Sequence, residues 1–392
     1  MPHSRYRLAA PWVEKLAAFW PSVGITGLRQ VGKTTLLRTQ LGIQNYFSFD
    51  DEDTRDLALT SSKSFLSRLS PPCIIDEIQK VPKIFDALKS LIDRNKRPGM
   101  YYLTGSSQFS TKLGIRESLT GRIGLIQLHP MTFRELQGLK SELPQRMLAP
   151  LHSEKVEVKV EDIGAAMLKG GMPVPAFFRD EIQAKIYWKS WLETLVYRDM
   201  SRVYGKNYDP EITMDILRKM AKAYLEGEYP TSADFRLQSR RLRPYLSAME
   251  TVFLIKRFRV HESGTGKDQY LLGDSGLVNY LMDYYLSTGA SLSLARHFIM
   301  NEILAQNEYT GKTLSHTYFK SARGSPVDLV WNGVPIKIIA SHQASTGWEE
   351  RSLEGAMKKL KSPLGLLVAP TDHVQLPKTM KGIGIVPWSY WS

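Results

Sequence analysis

A chain of 392 residues exceeds what one small core needs and predicts two or three domains. Its 43% hydrophobic and 23% charged residues exclude global disorder, and a single cysteine, Cys73, excludes an internal disulfide framework and suits a reducing cytoplasm. A net charge of +13 favours an anionic partner (nucleic acid, nucleotide or an acidic membrane surface), although surplus Lys and Arg also serve as a plain solvated face.

The N-terminus, Met1 to Trp20, is basic and lacks the continuous apolar core of a secretory signal. Leu8, Val13, Leu16 and Phe19 read instead as one face of a packing helix. Nowhere does a run approach the roughly 18 apolar residues of a membrane span. Val23 to Thr26 forms a short strand candidate, followed by Gly27-Leu28-Arg29-Gln30-Val31-Gly32-Lys33-Thr34, a Gly-x-x-x-x-Gly-Lys-Thr loop. In this pattern the glycines let the backbone curl so that several N–H groups, those of Gln30, Val31 and Gly32 among them, face one anion. Lys33 reaches the outer phosphates and the Thr34 hydroxyl ligates Mg²⁺. A helix beginning at Thr35 would point its N-terminal dipole at the same phosphates. The competing reading is a surface Gly-rich turn.

Tyr46 to Phe49 is a strand candidate ending in the acidic cluster Asp50 to Asp53, which suits a helix entry. Pro71 to Glu77 reads as a buried strand that closes on Asp76 and Glu77. Behind a phosphate loop, such an aspartate orients Mg²⁺ and the neighbouring glutamate polarises the attacking water. A helix is expected over Lys83 to Asp93, then a strand Met100 to Thr104 whose tip offers Thr104 and Ser106 as sensors of the terminal phosphate. Arg122 precedes the run Ile123 to Leu128 and either stabilises charge on a transferring phosphoryl group or pairs with a structural acid. Alternating strands and helices in this order define an α/β three-layer domain with a mainly parallel sheet, its nucleotide at the carboxyl ends of the strands.

Gly27 to Thr34, followed by Ile74-Ile75-Asp76-Glu77, Leu103-Thr104-Gly105-Ser106 and Leu119-Thr120-Gly121-Arg122, resembles a family of largely uncharacterised prokaryotic ATPases. These proteins join an AAA+-like P-loop module to a C-terminal domain of unknown function. The likeness continues through His129 to Leu136, Gly170-Gly171-Met172-Pro173, Trp191 to Asp199 and Gly273 to Leu277. The resemblance implies ATP and Mg²⁺ as ligands. It also implies a helical region with a winged-helix unit and then a degenerate restriction-endonuclease-like α/β fold. Modules of this kind often draw an arginine from a neighbour, so Arg122 could act in cis or in trans, and the oligomeric state stays open.

From Gly138 to Asp162 the chain turns polar and irregular, as in a linker or lid. Ile182 to Val203 is helical in pattern, and its Tyr187, Trp188, Trp191 and Tyr197 suit packing better than base stacking. A helix over Ile212 to Leu225, a helix start at Thr231 and an apolar stripe of Leu242, Leu246, Met249 and Phe253 precede a ribbon of Phe253 to Val260 and Gln269 to Leu272. That order fits a winged helix-turn-helix. Arg236, Arg240, Arg241 and Arg243 at the entrance of its second helix could contact duplex DNA, or the unit serves only for protein packing. In the last part, after a helix over His297 to Glu308, an endonuclease-like fold would need an acid at one strand tip and a Glu-x-Lys triplet in the next. Asp328 is present, but Lys337 and Ile339 occupy the triplet positions and Pro326 stands where many relatives carry an acid. A lone carboxylate beside a lysine is a poor metal site, which predicts no nuclease activity.

The expected organisation is a P-loop AAA+-like domain over 1–137, a linker or helical lid over 138–205, a winged-helix-like domain over 206–285 and a degenerate endonuclease-like α/β domain over 286–392. The expected function is a cytoplasmic Mg²⁺-dependent ATPase whose nucleotide state governs engagement of DNA or a protein partner. The alternatives are a winged-helix DNA regulator that senses ATP with little turnover, and a protein-interaction switch or scaffold.

Overall fold

The structure, a computed structural model, describes residues 5–108, 119–139, 160–283, 293–311, 317–321, 326–339, 347–371, 373–375, 377 and 381–390. Most of the expected linker, 140–159, lies outside them. The first helix, α1 (Ala10–Phe19), buries Val13 and Leu16 but leaves Phe19 73% exposed, against expectation. Each three-residue step on a helix falls about 60° short of a full turn, so two such steps carry Phe19 off the face begun at Val13.

Five parallel strands form the first sheet: β1 (Ser22–Thr26), β2 (Asn45–Ser48), β3 (Cys73–Asp76), β4 (Tyr101–Gly105) and β5 (Ile123–Gln127), in the order β2-β3-β4-β1-β5. The inner strands β1, β3 and β4 are buried throughout, on both faces, whereas the edge strands β2 and β5 are partly exposed. Ile74 and Tyr102 point into one core while Cys73, Ile75, Tyr101 and Leu103 point into another, the period of two that a pleated strand imposes. Between β1 and β2 the helix after the phosphate loop is short. It comprises α2 (Lys33–Thr35), which winds on into a π-helical turn, Leu36–Gln40. The acidic cluster does open a helix, α3 (Glu52–Thr60), with Asp51 accepting the Thr54 N–H. After α4 (Ser62–Ser67), α5 (Ile84–Arg94) runs within a residue of expectation.

After α6 (Phe133–Gln137) and α7 (Val160–Lys169), the helical region is α8 (Glu181–Glu193), continuing through a π turn, Thr194–Met200, into α9 (Ser201–Tyr204). Trp188 and Trp191 are buried, as packing residues should be, whereas Tyr197 is exposed. Next come α10 (Pro210–Leu225) and α11 (Ser239–Thr251), then the antiparallel hairpin β6 (Ile255–Val260) and β7 (Gln269–Leu272). No helix starts at Thr231. Asp234 accepts both the backbone N–H and the hydroxyl of Thr231, closing a tight turn that buries Phe235 and puts Arg236 at φ 52°. Phe253 likewise sits at φ 62° in the turn before β6 rather than in the ribbon.

The last segment contributes α12 (Ser275–Leu281), α13 (Ser293–Tyr309), β8 (Thr317–Phe319), β9 (Val327–Trp331), β10 (Val334–Ile338), α14 (Trp348–Leu360), β11 (Leu364–Ala369) and β12 (Gly382–Pro387). The β6–β7 hairpin joins these strands in one mixed sheet, ordered β12-β11-β10-β9-β8-β6-β7. The sheet therefore runs through the boundary expected near residue 285. One apolar core likewise extends from Val23 and Ile25 of β1 through Trp191 and Leu217 to Leu246 and Leu272, uniting the first sheet with the helices behind it. Among the described residues no helix is long and apolar enough to cross a membrane.

Candidate functional site

The loop 27–34 leaves the carboxyl end of β1, which lies between β4 and the edge strand β5. Gly27 (φ 146°) passes so close to β5 that a Cβ there would stand 2.2 Å from the Leu128 carbonyl oxygen, and Gly32 adopts φ 98°. Only glycine accepts both conditions, close approach and left-handed backbone. Between them Gln30 also turns left-handed, at φ 62°, while Val31 is fully buried and its N–H turns back towards the Leu28 carbonyl at 3.3 Å. The Lys33 ammonium donates to the carbonyls of Gly27 (3.0 Å) and Leu28 (2.9 Å) and so lies over the curled loop. Burial lowers its pKa to about 8. The carboxylates of Glu77 and Asp76 oppose that shift and the nearby Arg29 adds to it.

Arg7 supports the loop from behind. Its guanidinium donates to the Val31 carbonyl at 2.8 Å and to that of His129 at 2.6 Å, and pairs with the buried Glu135. Burial works against the Arg7 charge, and Glu135 and Tyr309 together more than restore it, leaving the pKa raised.

The two acids arrive from the tip of β3. Asp76 accepts from the Thr34 hydroxyl (3.3 Å), the Tyr46 hydroxyl (2.8 Å) and the Thr104 hydroxyl, which joins the tips of β2 and β4 to the loop. Glu77, at φ 54°, accepts from the Ser106 hydroxyl at 3.0 Å and from the Gln79 amide. Thr104, fully buried, thus addresses Asp76 alone, so any sensing of a phosphate by it would run through that acid, whereas Ser106 binds Glu77 and also lines a cavity. Lys33, Thr34, Asp76, Glu77, Thr104 and Ser106 come together at one sheet edge, and Arg122 does not join them. It precedes β5, at the amino end of the parallel strands, where its guanidinium grips Asp93 at 2.7 and 2.8 Å. In this chain Arg122 serves the structural acid. A role at a neighbour's nucleotide is a separate matter of assembly.

A cavity of about 470 Å³ opens over the loop, lined by Gln30, Gly32, Lys33, Thr34 and Thr35, with Asp76 and Glu77 at one end. Met131, Pro173 and Val174 also line it, residues that the sequence presents without any motif of known chemistry. Their placement has a clear cause. Asp274, the N-cap of α12, accepts the N–H groups of Gly171 (2.8 Å), Met172 (3.0 Å) and Gly276 (2.7 Å), while Met131 donates to the Gly171 carbonyl at 2.7 Å. A Cβ at Gly171 would meet Met131 O at 2.2 Å. Three segments noted for family resemblance are therefore one physical junction. Burial lifts the Asp274 pKa to about 6 despite those backbone donors. A second cavity, of about 700 Å³, lies on the far side of Glu77 between Ser106, Gln79 and the helical region, and it shares Arg29 and Glu77 with the first.

The dimensions suit a nucleotide, and the donor set suits Mg²⁺. Magnesium takes few protein ligands and keeps water and phosphate oxygens for the rest. Thr34 and Asp76 offer two, and among the described residues no three His, Cys, Asp or Glu groups form a metal cage. Asp328 differs. Fully buried, it pairs with Arg296 of α13 and accepts the Ile338 N–H at 2.7 Å, and Lys337, donating to Pro326 O at 2.7 Å, adds a second cation nearby. Arg296, whose partnership the sequence did not disclose, already supplies the positive charge that a metal would bring.

Fold, loop and acids have the arrangement of a P-loop nucleotide-binding domain. Residues 20–137 match the family described as AAA domain. Over 273 residues the chain is 27% identical to uncharacterized proteins of Mycobacterium tuberculosis and Mycobacterium bovis, a match covering 67% of this chain and 56% of each relative. The chain thus spans about half the length of the curated relatives it matches. Among solved structures, the Walker-type ATPase of Pyrococcus abyssi aligns with 70% of this chain and 94% of its own, at 16% identity and a TM-score of 0.43.

Proposed function

We propose that the chain binds and hydrolyses ATP at the loop 27–34 and that the bound nucleotide governs how its C-terminal half engages a partner. The observation that carries this reading is the convergence of Lys33, Thr34, Asp76 and Glu77 at the carboxyl edge of one parallel sheet. The curled loop and Lys33 would hold the outer phosphates, and Thr34 and Asp76 would hold the metal. Mg²⁺ there would neutralise charge on the phosphates. Glu77, fixed by Ser106 and Gln79, would orient a water and receive its proton. Binding of labelled ATP tests the first step. Lys33→Ala should lose it, and unchanged affinity in that variant would refute the assignment.

Transmission is supported by α13. Its last turn meets the first sheet through Glu308 and Tyr309, which bind the N–H groups of Gln127 and His129 at 2.9 and 3.0 Å. Glu302 takes the Phe133 N–H at 3.0 Å, and near the other end of the helix Arg296 holds Asp328. One 17-residue helix thus connects the strand beside Gly27 with the core of the last sheet.

A second reading, a DNA-binding regulator that senses ATP with little turnover, draws on one observation. Arg236, Arg240, Arg241 and Arg243 are all exposed at the start of α11, ahead of a β-hairpin. The same face could meet an acidic protein surface. Duplex binding that weakens with salt separates the two.

A further inference from the structure

We infer that Arg29 is the residue by which the phosphate loop distinguishes a nucleoside triphosphate from a diphosphate, its guanidinium passing from Asp199 to the third phosphate. The inference rests on the triphosphate reading of the loop given above.

Arg29 occupies the loop itself, between Gly27 and Gly32, and its side chain is one-fifth exposed. With Glu77 it is common to the linings of the two cavities. Arg29 and Glu77 therefore mark where the two cavities adjoin, next to Lys33 in the first, and on the triphosphate reading a terminal phosphate would stand there. Arg29 and Lys33 both line the first cavity. Two cations facing one gap repel each other until an anion enters it.

The contact that now occupies Arg29 is open. Its Nη1 lies 3.6 Å from Asp199 Oδ2, beyond hydrogen-bond distance, and that buried oxygen has no hydrogen-bond partner. The other carboxylate oxygen takes Arg198 Nε at 2.9 Å. Asp199 therefore holds Arg29 by charge alone, without the bidentate geometry that would fix an arginine in place. The backbone is held differently. Trp191 Nε1 donates to the Arg29 carbonyl at 3.1 Å, from the same continuous helix that carries Asp199. Between Trp191 and Asp199 the helix widens into the π turn Thr194–Met200, a local irregularity that recurs at functional sites and here brings Asp199 to the loop. The peptide is anchored and the side chain is free to exchange one anion for another. A phosphate would accept two guanidinium hydrogen bonds from Arg29 where Asp199 accepts none from it.

The test is equilibrium binding of the non-hydrolysable triphosphate AMP-PNP and of ADP, each with Mg²⁺, to the full chain and to Arg29→Ala and Asp199→Asn. Loss of a charge-assisted hydrogen bond predicts that Arg29→Ala weakens AMP-PNP about 10- to 100-fold and ADP less than about threefold. Asp199→Asn should strengthen AMP-PNP relative to ADP, because the competing anion is gone. Retained ADP affinity reports an intact loop in each variant. Equal losses for both nucleotides in Arg29→Ala, or an unchanged AMP-PNP to ADP ratio in Asp199→Asn, would overturn the role of Arg29 and leave nucleotide binding standing. A wild-type chain that binds neither nucleotide would overturn the parent reading and this one together.

Discussion

The Glu308 carboxylate accepts the backbone N–H of Gln127 at 2.9 Å, joining the last turn of α13 to the end of β5. Gly27 is pressed against the Leu128 carbonyl one residue further along, so the phosphate loop and α13 bear on the same stretch of backbone. Glu308→Ala should lower stability by about 1.5–3 kcal/mol, the range for a hydrogen bond to a charged group. It should also weaken the slowing of amide exchange that ATP brings to β9 and β10. Denaturant unfolding and hydrogen exchange measure the two effects, and full transmission in the variant would exclude this route.

Asp328 is fully buried and Arg296 is its cation. Removing one member of a buried pair leaves an uncompensated charge, so Arg296→Ala should cost about 3–5 kcal/mol in urea unfolding. The double variant Arg296→Met, Asp328→Asn should recover part of that loss, since it removes the stranded charge. An Arg296→Ala loss below about 1 kcal/mol would mean that water or the nearby Lys337 compensates the Asp328 charge.

If Lys33 contacts the phosphates as proposed, it should set a pH limit on nucleotide binding. Its ammonium, with a pKa of about 8, is charged below that pH and loses its proton above it. Phosphate favours the charged form, so the pKa rises on binding and protons are taken up. ATP affinity should be flat below about pH 8 and fall by up to about tenfold per pH unit above it. Isothermal titration at about pH 7, 8 and 9 in buffers of different ionisation enthalpy reads both the affinity and the proton uptake. An affinity independent of pH up to about 9.5 would place the lysine outside the phosphate contact.

The first sheet was legible because its signals are local. A fixed Gly-x-x-x-x-Gly-Lys-Thr spacing and strands ending in Asp76-Glu77 and Thr104-Gly105-Ser106 state both the elements and their chemistry. What escaped is long-range. Arg7 reaches Val31 and His129, Asp274 gathers Gly171 and Met172, and Arg296 finds Asp328, all from partners dozens of residues away with no periodicity between them. Arg122 illustrates the converse. Its place before a strand was readable, but a parallel sheet puts that end opposite the nucleotide, where Asp93 waits. The turn at Thr231 was read as a helix start because a Thr-x-x-Asp cap serves both, and only the left-handed Arg236 tells them apart.

Arg240 and Arg241 are exposed at the first turn of α11. If this face meets duplex DNA, replacing both with alanine should weaken binding similarly across sequences. The slope of log K against log salt should fall by about two, one for each phosphate left without its arginine. Fluorescence anisotropy at several salt concentrations measures it. No binding by the unaltered chain at low salt would remove DNA as the partner of this face and favour an acidic protein.

Single-turnover hydrolysis of ATP by the wild-type chain and by Glu77→Gln bears most directly on the central claim. Glu77 is held by Ser106 and Gln79, and in the proposed mechanism it faces the terminal phosphate. An amide there keeps the shape and loses the base, so Glu77→Gln should bind ATP with wild-type affinity and hydrolyse it about 100-fold more slowly or worse. Equal turnover in the two proteins would contradict the account.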